Sequence, residues 1–243
     1  MHFNFNVHND KIIQTTTIMA NSNEGLSVYL KNVCIAYDKT ILVDVNLELK
    51  KGEFVYLIGK TGSGKSTLLR SLYADVCIGS GEGIVCDFNL KTLSKKEVPL
   101  LRRKLGIVFQ DIQLLNDRNV YDNLAFVLKA TGTKDKAEIN KRVTDALTMV
   151  GLEHKANAFP YNLSEGESQR ITLARAIINN PELIIADEPT GNLDPITSEE
   201  IVKLLFKLNE QNGTTILMAT HDYLLINDFP RRTISCENGK IVE

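Results

Sequence analysis

The feature that most constrains this chain is a junction. An unbroken apolar run, Phe54-Val-Tyr-Leu-Ile58, passes directly into Gly59-Lys-Thr-Gly-Ser-Gly-Lys65-Ser66. The run is too short for a helix but suits a strand buried on both faces. The stretch Ser66–Tyr73 after it reads as a helix. Glycines at such a turn let successive N–H groups point inward on a polyanion, and the helix start adds about half a positive charge. G-x-x-x-x-G-K-S in this setting predicts a phosphate cradle built from Gly59, Lys60, Thr61, Gly62, Ser63, Gly64, Lys65, Ser66 and Thr67. Lys65 is expected to reach the β- and γ-phosphates, and the Ser66 hydroxyl to ligate Mg²⁺.

A second centre completes this chemistry. Leu183-Ile-Ile-Ala-Asp187-Glu188 reads as a buried strand ending in two acids. Ligands of open parallel sheets bind at the carboxyl ends of strands, so Asp187 is expected to face the same Mg²⁺. Glu188, one residue on, points elsewhere and is expected to polarise the attacking water as general base.

The rest of the chain alternates strands with helices, which predicts a parallel α/β sheet. Strands are expected at Leu26–Ile35, Val45–Leu49, Ile84–Cys86, Leu105–Phe109 and Thr214–Ala219, and helices at Ser164–Ile178 and Pro195–Asn209. Two helical patterns, around Tyr121–Lys129 and Ala137–Met149, follow each other without a strand, so residues of about 111–163 read as an inserted helical lobe. Glu237-Asn-Gly-Lys240 signals a hairpin. Residues 1–25 are rich in Asn and Thr without periodicity and are expected to form a disordered extension, with Met19 as an alternative start. The folded unit is then 26–243.

Composition narrows the function. Lys+Arg number 28 against 30 Asp+Glu, a net charge of −2, which argues against nonspecific binding to nucleic acid. No apolar run of about 18 residues exists, so direct membrane insertion is not expected and any membrane role runs through a partner. Cys34, Cys77, Cys86 and Cys236 form no C-x-x-C pair and are read as buried or half-buried thiols of a reducing compartment.

Between the two centres lies Leu163-Ser-Glu-Gly-Glu-Ser-Gln-Arg170, which resembles the signature motif of ATP-binding-cassette (ABC) ATPases. Further motifs fall in that family's order: Tyr37, Gln110, Asn192-Leu-Asp194 and His221. The resemblance implies a P-loop NTPase (RecA-like) core, with an N-terminal antiparallel β subdomain and an inserted helical subdomain. It also implies ATP and Mg²⁺ as ligands. Tyr37 would stack adenine, unless it is a solvent-edge strand residue; Gln110 would touch Mg²⁺ or water, unless it is a surface glutamine. His221 would hold the γ-phosphate and orient water. Ser164, Gly166, Glu167 and Asp194 would face the nucleotide of a second copy, so that a homodimer sandwiches each ATP. Arg170 and Arg175 are read as bracing residues.

Within the family, Glu97–Arg103, Asn116–Asn123 and Ala219–Asp222 resemble the FtsE-type cell-division branch. That implies a peripheral ATPase on the cytoplasmic face of the inner membrane. It would work with an FtsX-like integral membrane permease to relay ATP-driven closure to peptidoglycan hydrolases. Two other readings stay open: an ATPase of a lipoprotein-release or macrolide-export transporter, and an ATP-gated binding module with negligible hydrolysis. The family signature has two glycines after its serine, whereas this chain has Glu165-Gly166. A carboxylate there is expected to slow hydrolysis by repelling the triphosphate. Ile112, Leu114 and Leu115 are apolar in a loop and are covered either by the chain itself or by a helix of the permease.

Overall fold

Strands of the computed structural model fall into two sheets, and the structure describes residues 25–37 and 40–243. In chain order the elements begin β1 (Leu26–Tyr37), β2 (Thr40–Lys50), β3 (Phe54–Ile58), α1 (Lys65–Leu72), β4 (Ile78–Val85) and β5 (Phe88–Asn89). Next come α2 (Val98–Arg103), β6 (Leu105–Val108), α3 (Val120–Ala130), α4 (Lys136–Met149), α5 (Glu165–Ile177) and β7 (Leu183–Asp187). The chain closes with α6 (Pro195–Asn212), β8 (Thr215–Ala219), α7 (Tyr223–Asp228), β9 (Arg232–Glu237) and β10 (Lys240–Val242).

The first sheet has the order β2-β1-β4-β5 and every pair in it is antiparallel. The second has the order β10-β9-β3-β8-β7-β6, parallel except for the β9–β10 hairpin. Asn238 (φ 50) and Gly239 (φ 76) make that hairpin turn, the left-handed pair that two-residue loops favour. The fold is therefore the mixed α/β arrangement expected from the motifs. β3 lies between β8 and β9 and is buried along nearly its whole length, which is why its sequence runs apolar instead of alternating.

Three apolar clusters hold these parts. One joins the antiparallel sheet, α1 and one face of the parallel sheet; a second packs α5 and α6 on the other face. The third is the helical lobe, where Val120, Leu124, Leu128, Val143 and Leu147 meet Ile171, Ala174 and Ile178. Helix α5 thus gives Leu173, Ala176 and Ile177 to the sheet and Ile171 and Ala174 to the lobe. Arg142 of α4 donates to the Ile178 carbonyl (2.7 Å) and ties the lobe to the end of α5.

Several local expectations change. β1 continues to Tyr37, and β4 begins at Ile78. α2 and α7 are each six residues long, too short for helical periodicity to register in the sequence. Their punctuation is nonetheless present: Pro99 in the first turn of α2, and Asp222 capping α7 by accepting from Leu224 N and Leu225 N. Cys77 is exposed, not half-buried, because it lies in the turn between α1 and β4. Gly25, the last residue of the expected tail, already accepts a hydrogen bond from Lys51 N. The rest of that tail, with Met19, lies outside the described residues.

Candidate functional site

The cradle bends through glycines of positive φ, and at one of them there is also no room for a side chain. Gly59 has φ 146, and a Cβ there would lie 2.6 Å from the Cys236 carbonyl oxygen and 2.8 Å from Ser63 Oγ. Gly64 (φ 113) forms the N-cap of α1 and offers no side chain, so the first N–H groups of the helix stay available to an anion. Lys65 is buried, with Nζ donating to the Gly59 carbonyl (2.8 Å) and lying 3.7 Å from Glu188 Oε1. The ammonium is held inside the loop, paired with the acid across from it.

β7 delivers the two carboxylates. Asp187 Oδ1 is buried and has no hydrogen-bond partner. Burial pushes the Asp187 carboxyl above its usual range; the Glu188 charge adds to this, while a hydrogen bond from Ser66 and the Lys65 charge oppose it. An orphaned, desolvated carboxylate oxygen beside a serine hydroxyl is a donor set that fits a hard divalent cation. Glu188 turns into the left-handed region (φ 49), and its amide donates to the Ala219 carbonyl (3.0 Å). Its carboxylate is 11% exposed and lies 2.8 Å from Nδ1 of His221, itself 67% exposed. β7 and β8 are neighbours, so the residues just beyond them, Glu188 and His221, arrive together.

One cavity of about 300 Å³ is lined by Thr61, Gly62, Gly64, Lys65, Ser66, Thr67, Gln110, Asp187, Glu188 and His221. Gln110 reaches it from the end of β6. A neighbouring cavity of about 630 Å³ takes in Gly59, Lys60 and Ser63 with Ile41, Tyr223 and Cys236. Every residue expected at the phosphates, the metal or the water therefore lines one of two adjoining spaces.

The remaining expected residues lie apart. Tyr37 lines neither cavity; it is half-exposed, with the Arg70 guanidinium 4.2 Å from its ring centroid. Ser164 caps α5 in a reciprocal box: Glu167 N donates to Ser164 Oγ (3.2 Å) and Ser164 N to Glu167 Oε2 (2.8 Å). That backbone bond, with Lys155 at 2.9 Å, holds the Glu167 carboxyl below its usual range. Asp194 caps α6 by accepting from Ile196 N and Thr197 N, and its carboxyl is lowered chiefly by the Thr197 hydroxyl. Gly166 meets this second cap, since a Cβ on it would lie 2.6 Å from Thr197 Cγ2. Arg170 pairs with Glu200 on α6 (2.5 Å), and Arg175 Nη1 donates to the Gln113 carbonyl, the bracing read from sequence. Leu114 packs against the lobe, whereas Ile112 and Leu115 stay exposed.

Sequence reasoning passed over Cys236 and Arg70. Cys236 Sγ donates to the Ser63 carbonyl (3.1 Å) from the C-terminal end of β9. Only the parallel register, Ile58 opposite Ser235, brings it there, and no local motif marks it. Arg70 had a signal in its place on α1, five residues beyond the lysine.

A sequence profile of the ABC transporter family matches residues 42–191. The cell division ATP-binding protein FtsE of Streptococcus pneumoniae is 49% identical over 217 residues, 88% of this chain and 94% of that protein. The methionine import ATP-binding protein MetN of Carboxydothermus hydrogenoformans is 42% identical over 220 residues, 89% of this chain and 65% of that protein. Among solved structures, the dimeric post-hydrolysis state of the ATP-binding cassette MJ0796 bound to ADP and Pi aligns with a TM-score of 0.80 at 37% identity. It covers 89% of this chain and 97% of that one.

Proposed function

The chain belongs to the ABC transporter family of ATP-binding cassettes, and from that premise we propose that it works as an FtsE-like subunit coupling ATP hydrolysis to an FtsX-like membrane permease. As an ABC ATPase it converts ATP and water to ADP and phosphate. The observation that carries the site assignment is the single cavity shared by Lys65, Ser66, Gln110, Asp187, Glu188 and His221.

In this reading the cradle N–H groups and Lys65 bind the phosphate chain, which draws the Lys65 ammonium off the Gly59 carbonyl. Ser66, Asp187 and Gln110 would hold Mg²⁺, whose charge would offset that gathering on the phosphate oxygens. Glu188, released from Lys65, accepts a proton from the attacking water. His221 is bonded to the same carboxylate, orients it and reaches the γ-phosphate.

Ser164, Gly166, Glu167 and Asp194 line neither cavity of their own chain. Their position supports a homodimer in which each copy closes the other's site, and the dimeric state of MJ0796 supports the same arrangement. ATP then bridges two chains, and its hydrolysis reopens them. A groove of about 430 Å³, lined by Phe109, Gln113, Val127 and Arg175 between the sheet and the lobe, supports docking of a cytoplasmic helix of the permease. Among the described residues no helix is long and apolar enough to cross a membrane, so the proposed place at the cytoplasmic face depends on that partner. Control of peptidoglycan hydrolases would be exerted through it.

Two assays test this. Lys65→Ala should abolish saturable binding of ATP with Mg²⁺, and Glu188→Gln should retain binding while slowing phosphate release by roughly 10²–10⁴-fold. Unchanged release in Glu188→Gln removes the base assignment. Leu115→Asp, at an exposed position two residues from the groove-lining Gln113, should weaken co-purification with the permease at unaltered ATP affinity; equal loss of both refutes docking at this loop.

A further inference from the structure

Tyr37 is the one expected nucleotide contact that an arginine already engages. The Arg70 guanidinium lies over the ring, 4.2 Å from its centroid. It does not hang there freely. Arg70 Nε donates to Asp75 Oδ2 at 2.7 Å, and Nη2 lies 2.6 Å from the same oxygen. Two backbone features bring that carboxylate round. Ala74 takes a left-handed conformation (φ 55) just past the end of α1, and Asp75 N donates to the Arg70 carbonyl (2.9 Å). Arg102, 4.0 Å from Asp75 Oδ1, donates to the Tyr73 carbonyl (3.0 Å) and steadies the turn from the other side.

We propose that Arg70 is a positioning residue for the purine, its guanidinium held by Asp75 against one face of Tyr37 so that the other face is presented to the base. This rests on the reading of Tyr37 as the adenine platform. A ring at the exposed end of β1 has several rotamers available, and stacking a base on it costs the entropy of choosing one. The planar guanidinium makes that choice beforehand, because it stacks on the ring while its edge is bonded to a carboxylate. The same helix carries Lys65 in its first turn, and Arg70 lies about 7.5 Å further along its axis at the helical rise. One rigid element therefore sets both the phosphate end and the base end of the site. Selection of a nucleoside triphosphate over a bare polyphosphate follows from that spacing.

Binding of ATP with Mg²⁺, and of tripolyphosphate with Mg²⁺ as the base-free probe, tests this in wild type, Arg70→Gln, Tyr37→Ala and the double variant. Thermal melts would establish that each is folded. Arg70→Gln should weaken ATP binding by roughly two- to fivefold and raise KM with kcat held, while tripolyphosphate binds as before. In the Tyr37→Ala background the Arg70 change should have no further effect, and Arg70→Lys should restore part of the loss. Equal weakening of ATP and tripolyphosphate, no change, or tighter ATP binding overturns the proposal, the last because the guanidinium would then be covering the purine's own face. If Tyr37→Ala itself binds ATP normally, the platform reading has failed and takes this inference with it. If Tyr37→Ala weakens ATP by at least about fivefold but Arg70→Gln does not, only the inference falls.

Discussion

Two glycines of one loop should respond differently to the same added methyl group. Gly59 and Gly62 both have positive φ (146 and 78), so alanine strains the backbone at either by about 1–2 kcal/mol. Space separates them. At Gly62 a Cβ meets nothing within 4 Å, whereas at Gly59 it lies 2.6 Å from the Cys236 carbonyl oxygen. Restoring an ordinary carbon–oxygen contact requires a retreat of about 0.8 Å. The carbonyl belongs to β9, which is laddered to β3 directly before the loop, Leu57 opposite Ile234 and Ile58 opposite Ser235. Neither side yields without breaking register, so overpacking adds about 1–3 kcal/mol at Gly59 alone. Urea unfolding should place Gly59→Ala about 2–5 kcal/mol below wild type and Gly62→Ala only about 1–2 kcal/mol below. Titration with a fluorescent ATP analogue should show the larger loss of affinity for Gly59→Ala, since the shift falls on the carbonyl that holds Lys65. Equal destabilisation by the two variants would show that contact with β9 does not shape the cradle.

Other perturbations read other parts. Glu165 is exposed beside the Ser164 cap, so Glu165→Gly or Glu165→Gln should tighten ATP-driven dimerisation by roughly tenfold per site at low salt and lose that advantage by about 1 M salt; sedimentation in graded NaCl checks this, and a salt-independent gain would exclude charge repulsion. Gly166→Ala should cost about 1–3 kcal/mol by pressing on Thr197, and adding Thr197→Ser, which removes the Cγ2 that is met, should recover most of it in thermal melts. Burial pushes the Tyr56 hydroxyl and the Cys86 thiol each up to about 12. The unfolded chain then releases those protons first, so stability is whole below their ordinary values and falls as pH rises from about 9 towards 12. Tm measured over that range should drop, and less steeply for Tyr56→Phe with Cys86→Ala.

How much could be read before folding depended on how local each feature is. The cradle from Gly59 to Thr67 was legible because its groups lie on one contiguous turn between a strand and a helix, and the α5 and α6 caps at Ser164 and Asp194 are likewise written within three residues. The two short helices escaped, since six residues give no period to detect. From its own residues the antiparallel sheet was legible only as separate strands, and its pairing was expected from the family resemblance alone, because β4 enters it from a distance and pairs with β1.

Amino-acid order alone settled that a phosphate loop opens a helix, that two acids end a buried strand, and that a capped helix carries the signature residues, for each is an interaction between near neighbours. The rest waited on the fold. Glu188 meets His221 because β7 and β8 are adjacent, Cys236 braces Ser63 through the β3–β9 register, Gly166 packs on Thr197, and Arg70 covers Tyr37. Contacts between residues far apart in sequence depend on strand order and helix packing, which are set by burying the whole apolar surface at once.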